Sequence, residues 1–202
     1  MSNKIKRKGD SILRDTLAIF AITLVAGLLL GGVYMLTKEP IEKAVLEAKT
    51  ASYKIVMPEA GSFDTSEELS AKLKAAKTDG CEFNEIVVAK AEDGSEMGYA
   101  VLVTSKEGYG GDIQFSIGVD KEGTITGVEV ISMSETAGLG AKCTEDEFKG
   151  QFKGIKGNEV KLVKGEAGGE NEISAISGAT ITSTAITKAA NEVLRFISGL
   201  KG

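Results

Sequence analysis

The sequence predicts an α+β fold, with a single N-terminal transmembrane helix followed by a domain in which helices pack on an antiparallel sheet. Three observations predict it. An uncharged run of 22 residues lies near the N-terminus, two pairs of β-rich segments are each joined by a short turn, and an amphipathic stripe runs from Thr184 to Leu200.

The uncharged run, Thr16 to Thr37, is long enough for a helix to cross a hydrocarbon core of about 30 Å. Lys4, Lys6, Arg7, Lys8 and Arg14 precede it, against Asp10 and Asp15. The excess of positive charge places the N-terminus in the cytoplasm and the remainder outside. A cleaved signal peptide would have a shorter apolar core and a small-x-small cleavage site. Here Tyr34-Met35-Leu36 is bulky, so the run reads as an uncleaved anchor in the plasma or inner membrane. Glu39-Pro40 opens a second helix to about Tyr53, with Pro40 in its first turn and Ile41, Ala44, Val45 and Ala48 on one stripe. This helix reads as a juxtamembrane stalk.

Thr65 with Glu68 forms a capping box for a short helix carrying Leu69 and Leu73. Asn84–Ala91 and Glu96–Thr104 flank a turn at Glu92-Asp93-Gly94-Ser95, and Asp112–Asp120 and Thr124–Met133 flank Lys121-Glu122-Gly123. Both pairs read as hairpins. The alternation of Ile113, Phe115, Ile117 and Val119 is the period of two that a half-buried strand requires. Thr144 with Glu147 forms a second capping box, for a helix carrying Phe148 and Phe152. Glu159–Lys164 and Glu172–Ile176 read as strands. In the last helix Ile186, Ala190, Val193, Leu194 and Ile197 share one face, with Thr182 or Ser183 as its N-cap. The organisation is therefore a basic cytoplasmic segment (1–15), a span (16–37), a juxtamembrane helical segment (38–79) and an outer domain (80–202).

Composition removes several chemistries. The 202 residues include no histidine and no tryptophan, so Ser-His-Asp catalysis, histidine metal sites and histidine proton relays are excluded. Cys81 and Cys143 lie far apart, which argues against an iron–sulfur or zinc site. They are either one disulfide of an extracytoplasmic domain or two separate thiols. The first sixteen residues carry +3 and the rest −8, with 19 Lys+Arg against 27 Asp+Glu, so the outer domain has no electrostatic case for nucleic acid. Redox or group-transfer work needs a borrowed cofactor.

Three short motifs point to where that cofactor sits. Ser177-Gly178-Ala179-Thr180-Ile181-Thr182-Ser183-Thr184 lies at a strand-to-helix turn, where unpaired N–H groups and the helix dipole favour a phosphate. Gly178 and Ala179 allow close approach, and Ser177, Thr180, Thr182 and Ser183 supply hydroxyls. Gly108-Tyr109-Gly110-Gly111 and Ser134-Glu135-Thr136-Ala137-Gly138-Leu139-Gly140 are loops at strand ends. Tyr109, Glu135, Thr136, Gly138, Leu139 and Gly140 offer close backbone approach, apolar surface and polar groups to a flat aromatic ligand.

These motifs, S-G-A-T above all, occur in an order that resembles FMN-binding domains. With the span ahead of them, nearly the whole chain resembles the G subunit of the Rnf electron-transport complex, and more broadly the C subunit of the sodium-pumping NADH:quinone oxidoreductase. The resemblance implies an extracytoplasmic FMN-binding domain with FMN on Thr180 through a phosphoester, placed there by a separate flavin transferase of the ApbE type that uses FAD. It implies that Glu135, Thr136, Gly138, Leu139 and Gly140 line the isoalloxazine pocket. Two positions depart from the family pattern, Ser174 in place of an acidic residue and Ala137 in place of proline.

The function implied is electron relay within a complex that moves electrons between ferredoxin and NAD⁺ and translocates Na⁺ or H⁺, with no independent turnover in this chain. The uncharged span leaves ion passage to the other subunits. Two other readings use the same residues differently: a stand-alone anchored flavoprotein, and a non-redox binding module whose S-G-A-T is only a cap.

Overall fold

The computed structural model describes residues 2–157 and 159–200, with side chains from Ile12 onward. The chain forms two compact units, Met1–Glu47 and Ala48–Gly202.

Helix α1 runs from Ser2 to Val56. Its apolar stretch is fully exposed, with a mean hydropathy of 2.3, as a membrane span requires. The hydroxyls of Thr16, Thr23 and Thr37 donate to the carbonyls of Ile12, Ile19 and Val33 one turn back, so the threonine hydroxyls of the span are satisfied within the helix. No second helix begins at Pro40, because α1 continues through it. A proline removes one bond of the ladder, and the i,i+4 pairs Lys38–Glu42, which spans Pro40, and Lys43–Glu47, just after it, support these turns.

The second unit starts with the last turns of α1. Then come β1 (Ser62–Thr65), α2 (Glu67–Ala75), β2 (Cys81–Lys90), β3 (Glu96–Ser105), β4 (Ile113–Asp120) and β5 (Ile125–Ser132). The five strands form an antiparallel sheet in sequence order. A 3₁₀ turn (Gly140–Thr144), the single-turn α3 (Asp146–Lys149) and another 3₁₀ turn (Gly150–Phe152) follow. Strands β6 (Lys161–Val163) and β7 (Glu172–Ser174) form a two-stranded parallel sheet, and α4 (Thr180–Leu200) closes the chain.

Both faces of the sheet are covered. On one, Ile113, Phe115, Ile117 and Val119 pack with Ile186, Ala190, Val193, Leu194 and Ile197 of α4 and with Phe148 and Phe152, all as the two periodicities predict. On the other, Val87, Ala89, Ala100 and Leu102 pack with Tyr53, Val56 and Met57. The end of α1 is therefore core, where the sequence predicts a stalk. Tyr53 also donates to Glu85, which accepts a bond from Lys49 at 2.6 Å. The seat of α1 is a pair of facing glycines, Gly118 and Gly127. A Cβ on Gly118 would lie 2.5 Å from the Val56 carbonyl oxygen, and that oxygen accepts the Thr126 hydroxyl.

Both predicted capping boxes are corrected. Thr65 pairs with Val87 in the sheet, so the cap passes to Ser66, whose hydroxyl accepts the Leu69 N–H. Thr144 donates instead to the Ala141 carbonyl, and α3 starts after Glu145 without a side-chain cap.

Candidate functional site

Three segments meet at one end of the sheet: the β3–β4 loop, the loop leaving β5, and the turn into α4. Each is shaped locally. In the loop after β5, Leu139 and Ala141 both donate backbone bonds to the Thr136 carbonyl, closing a tight turn. Gly138 within it has φ +76°, a conformation that L side chains rarely adopt. The turn thrusts Leu139 outward, leaving it 45% exposed. Ahead of α4, the Ala179 N–H donates to Ile176 across a turn whose third residue, Gly178, has φ +77°. A Cβ on Gly178 would sit 3.1 Å from Leu139 Cδ2, so the two motifs touch there.

Helix α4 begins at Thr180, one turn earlier than predicted, and neither Thr182 nor Ser183 is its cap. Ser183 donates its N–H to Ala179, so the first intrahelical bond already starts at that residue. The Ser183 hydroxyl, fully buried, donates to the Ala179 carbonyl and accepts the Ile176 N–H, clamping the turn from inside. The Thr182 hydroxyl, also buried, donates to Glu135 Oε2 at 2.9 Å. The first amides of α4 have no acceptor within the helix, and Thr180 beside them is exposed.

The result is a cleft of about 510 Å³, lined by Tyr109, Glu135, Thr136, Leu139, Gly140 and the stretch Gly178 to Thr182. Its size falls within the roughly 300–1,000 Å³ of small-molecule sites. Most of the predicted site residues thus come together. Gly138 shapes the wall without lining it, Ser183 is buried behind it, and exposed Ser177 faces a neighbouring groove. Ile181, 54% exposed on the first turn of α4, lines the cleft and was missed. The sequence signal for it is only its place after Thr180.

The Gly-Tyr-Gly-Gly loop is tied on two sides. Its base is closed by Lys106 and Asp112 at 2.6 Å, and Lys188 of α4 reaches Glu107 at 2.8 Å. A Cβ on Gly110 would lie 2.1 Å from the Ser134 carbonyl oxygen, so only glycine allows this loop to lie against the next. Tyr109 is carried outward, 70% exposed. Beyond the cleft wall, burial pushes the Cys143 thiol up to about 11, and the negative charge of Glu135 adds to the shift. Cys81 and Cys143 are two separate buried thiols.

Residues 108–195 match the FMN-binding domain family, a stretch that contains all three segments. The chain is 33% identical over 193 residues to the G subunit of the Na⁺-translocating ferredoxin:NAD⁺ oxidoreductase complex of Acetobacterium woodii, covering 91% of this chain and 90% of that one. The chain belongs to the G-subunit family of ion-translocating oxidoreductase complexes. The G subunit of the proton-translocating ferredoxin:NAD⁺ oxidoreductase complex of Clostridium ljungdahlii is 29% identical to it over 196 residues, 94% of this chain and 97% of that one. Among solved structures, the C subunit of the Na⁺-translocating NADH-quinone reductase from Parabacteroides distasonis matches with a TM-score of 0.47 and 28% identity, over 56% of this chain and 62% of that one. In this member of the G-subunit family the FMN-binding match starts at Gly108, the first glycine of the loop that meets Glu135.

Proposed function

We propose that this chain is the electron-carrier subunit of a membrane-bound, ion-translocating ferredoxin:NAD⁺ oxidoreductase complex, holding FMN covalently through a phosphoester to Thr180. One observation carries the reading. The exposed Thr180, at the start of a 21-residue helix, opens into the same cleft as Tyr109, Leu139 and Ile181. Among the described residues of the second unit, the exposed large apolar side chains are those three and Ile55. Exposed apolar surface gathered beside a free hydroxyl and a helix N-terminus suits a flat ring with a phosphate tail.

Bound FMN supplies reversible uptake and release of electrons. The chain's residues bind and orient it. The Thr180 hydroxyl is the attachment point, and the unpaired amides of α4 favour the phosphate's charge. Leu139, Tyr109 and Ile181 present apolar surface to the ring, and Glu135 and Thr136 supply polar groups. Maturation requires a flavin transferase that delivers the FMN moiety of FAD to Thr180 and releases AMP. The basic N-terminus supports a cytoplasmic start and an extracytoplasmic domain, so the carrier works on the outer surface beside the complex's other membrane subunits. A covalent link keeps the cofactor from being lost to that compartment.

The test is intact mass and in-gel flavin fluorescence after denaturation, on full-length chain co-expressed with a flavin transferase. Wild type should gain the mass of one FMN less one water, and Thr180→Ala should gain nothing. A modified Thr180→Ala protein, or a wild type left unmodified by the transferase of its own source, overturns the assignment.

A further inference from the structure

Glu135 lies in the cleft wall with 9% exposure, and its two carboxylate oxygens hold two other segments of the chain. Oε1 accepts the Gly110 N–H at 3.1 Å, and Oε2 accepts the Thr182 hydroxyl at 2.9 Å. Glycines make room for it. A Cβ on Gly108 would come within 2.8 Å of Oε1, and one on Gly140 within 2.5 Å of Oε2 and 2.7 Å of Thr182 Oγ1. Among the described residues no lysine or arginine forms an ion pair with Glu135.

Thr182 departs from its neighbours on α4. Ser183, Thr184 and Thr187 all turn their hydroxyls back onto the carbonyl four residues earlier, the ordinary resting place for such groups in a helix. Thr182 gives its one hydrogen across space to Glu135, a residue 47 positions away in sequence. That bond is buried and ends on a carboxylate, where hydrogen bonds are stronger and costlier to lose.

We propose that Glu135 is a positioning residue that latches the Gly-Tyr-Gly-Gly loop to the helix turn carrying Thr180. Through it, the wall that bears Tyr109 and the residue that bears the flavin keep a fixed spacing. The flavin's part in this rests on the proposed function; the latch itself is a property of the polypeptide alone. Glu135 acts here through Gly110 and Thr182.

The test separates the two. Full-length chain made without a flavin transferase is compared by amide hydrogen exchange, resolved over residues 106–112 and 180–184. Thr182→Val keeps the side-chain shape and removes the donor. It should speed exchange in 106–112, on the far side of Glu135, by about tenfold or more, while strand β4 stays protected. Thr182→Ser should match wild type. Glu135→Ala should speed exchange in both segments, and adding Thr182→Val to it should change 106–112 no further. Unchanged exchange in 106–112 for Thr182→Val, or additive effects in the double variant, overturns the latch. Should Thr182→Val fail to fold, Glu135→Met replaces it. It keeps the length of the side chain and removes both acceptors, so unchanged loop exchange there overturns the latch equally.

A second arm uses chain co-expressed with the transferase. In Thr182→Val the FMN mass should remain while the anisotropy of flavin emission falls, because the ring loses its wall. Unchanged anisotropy overturns the positioning role. If wild type carries no flavin but the exchange coupling holds, the latch stands and the flavin reading is what fails.

Discussion

Asn191 substitutes for a strand: its side-chain carbonyl accepts the Val160 N–H at 2.6 Å, and its amide donates to the Val160 carbonyl at 3.0 Å. Both partners are buried, so α4 satisfies the backbone just before β6 through one side chain. Asn191→Leu would leave a buried donor and a buried acceptor unpaired. The expected loss is about 2–4 kcal/mol, read from the urea midpoint with an unchanged m-value. A loss below about 1 kcal/mol would show that another group takes over.

Gly118→Ala tests the seat of α1. The new methyl would lie 2.3 Å from Thr126 Oγ1 and 2.5 Å from the Val56 carbonyl oxygen, and one of those contacts is backbone. The helix end must shift or the sheet must bend. Overpacking of this kind costs about 1–3 kcal/mol, and thermal melting should register it as a fall of several degrees. Gly94→Ala in an exposed hairpin turn is a poor control because Gly94 has φ +81°. Gly150→Ala, at φ −66° with open space around it, is the right one and should be close to neutral.

The two thiols give a pH dependence. Burial pushes Cys81 up to about 11, with Glu192 adding to the shift, and Cys143 likewise to about 11. An unfolded thiol titrates near 8.5, so above that pH the unfolded chain sheds protons that the folded chain keeps. The stabilisation is complete below about pH 8.5 and is lost as pH rises toward 11, by about 3 kcal/mol per thiol at most. Tyr53, raised by burial and by Glu85, pushes in the same direction at higher pH. Urea midpoints at pH 7.5, 9 and 10.5 should fall in that order. At pH 8 both thiols should resist a thiol reagent until denaturant is added.

Leu139→Ala separates binding from stability. The side chain is half exposed and covers Gly178, so its loss should cost under about 1 kcal/mol in unfolding. On chain carrying the proposed FMN, the flavin should nevertheless become brighter and more mobile, as steady-state fluorescence and anisotropy report. Equal signals in the variant and wild type would place the ring elsewhere.

Most of the fold was legible where burial imposes a period. Ile113 to Val119 alternate because one face of β4 meets α4, and Ile186 to Ile197 repeat because one face of α4 meets the sheet. The span was legible by length and lack of charge. Where structure depends on partners distant in sequence, the pattern fell silent. Thr65 looks like a helix cap until β2 claims it, and β1 shows only one half-buried side chain, Phe63. Tyr53 and Val56 look like stalk because their partners lie on β2, β3 and the Gly118–Gly127 pair.

At the site, the three motifs were legible because glycine and hydroxyl residues cluster in them. Their internal wiring was not. Thr182 reads locally as a cap, and only the fold shows its hydroxyl reaching Glu135. Ile181 reads as part of the turn ahead of the helix, and its place on an exposed first turn follows only from the helix starting at Thr180.

The glycine seat under Val56 also decides where this domain can be cut free. The second unit begins at Ala48, inside a helix, and Lys49 and Tyr53 both bind Glu85 of β2. Proteolytic cleavage after Lys43 would release a fragment that retains every one of these contacts. Cleavage after Lys54 would strip both Glu85 partners away and take Tyr53 out of the second core face. A free-standing form of this domain therefore has to carry the last turns of α1 with it.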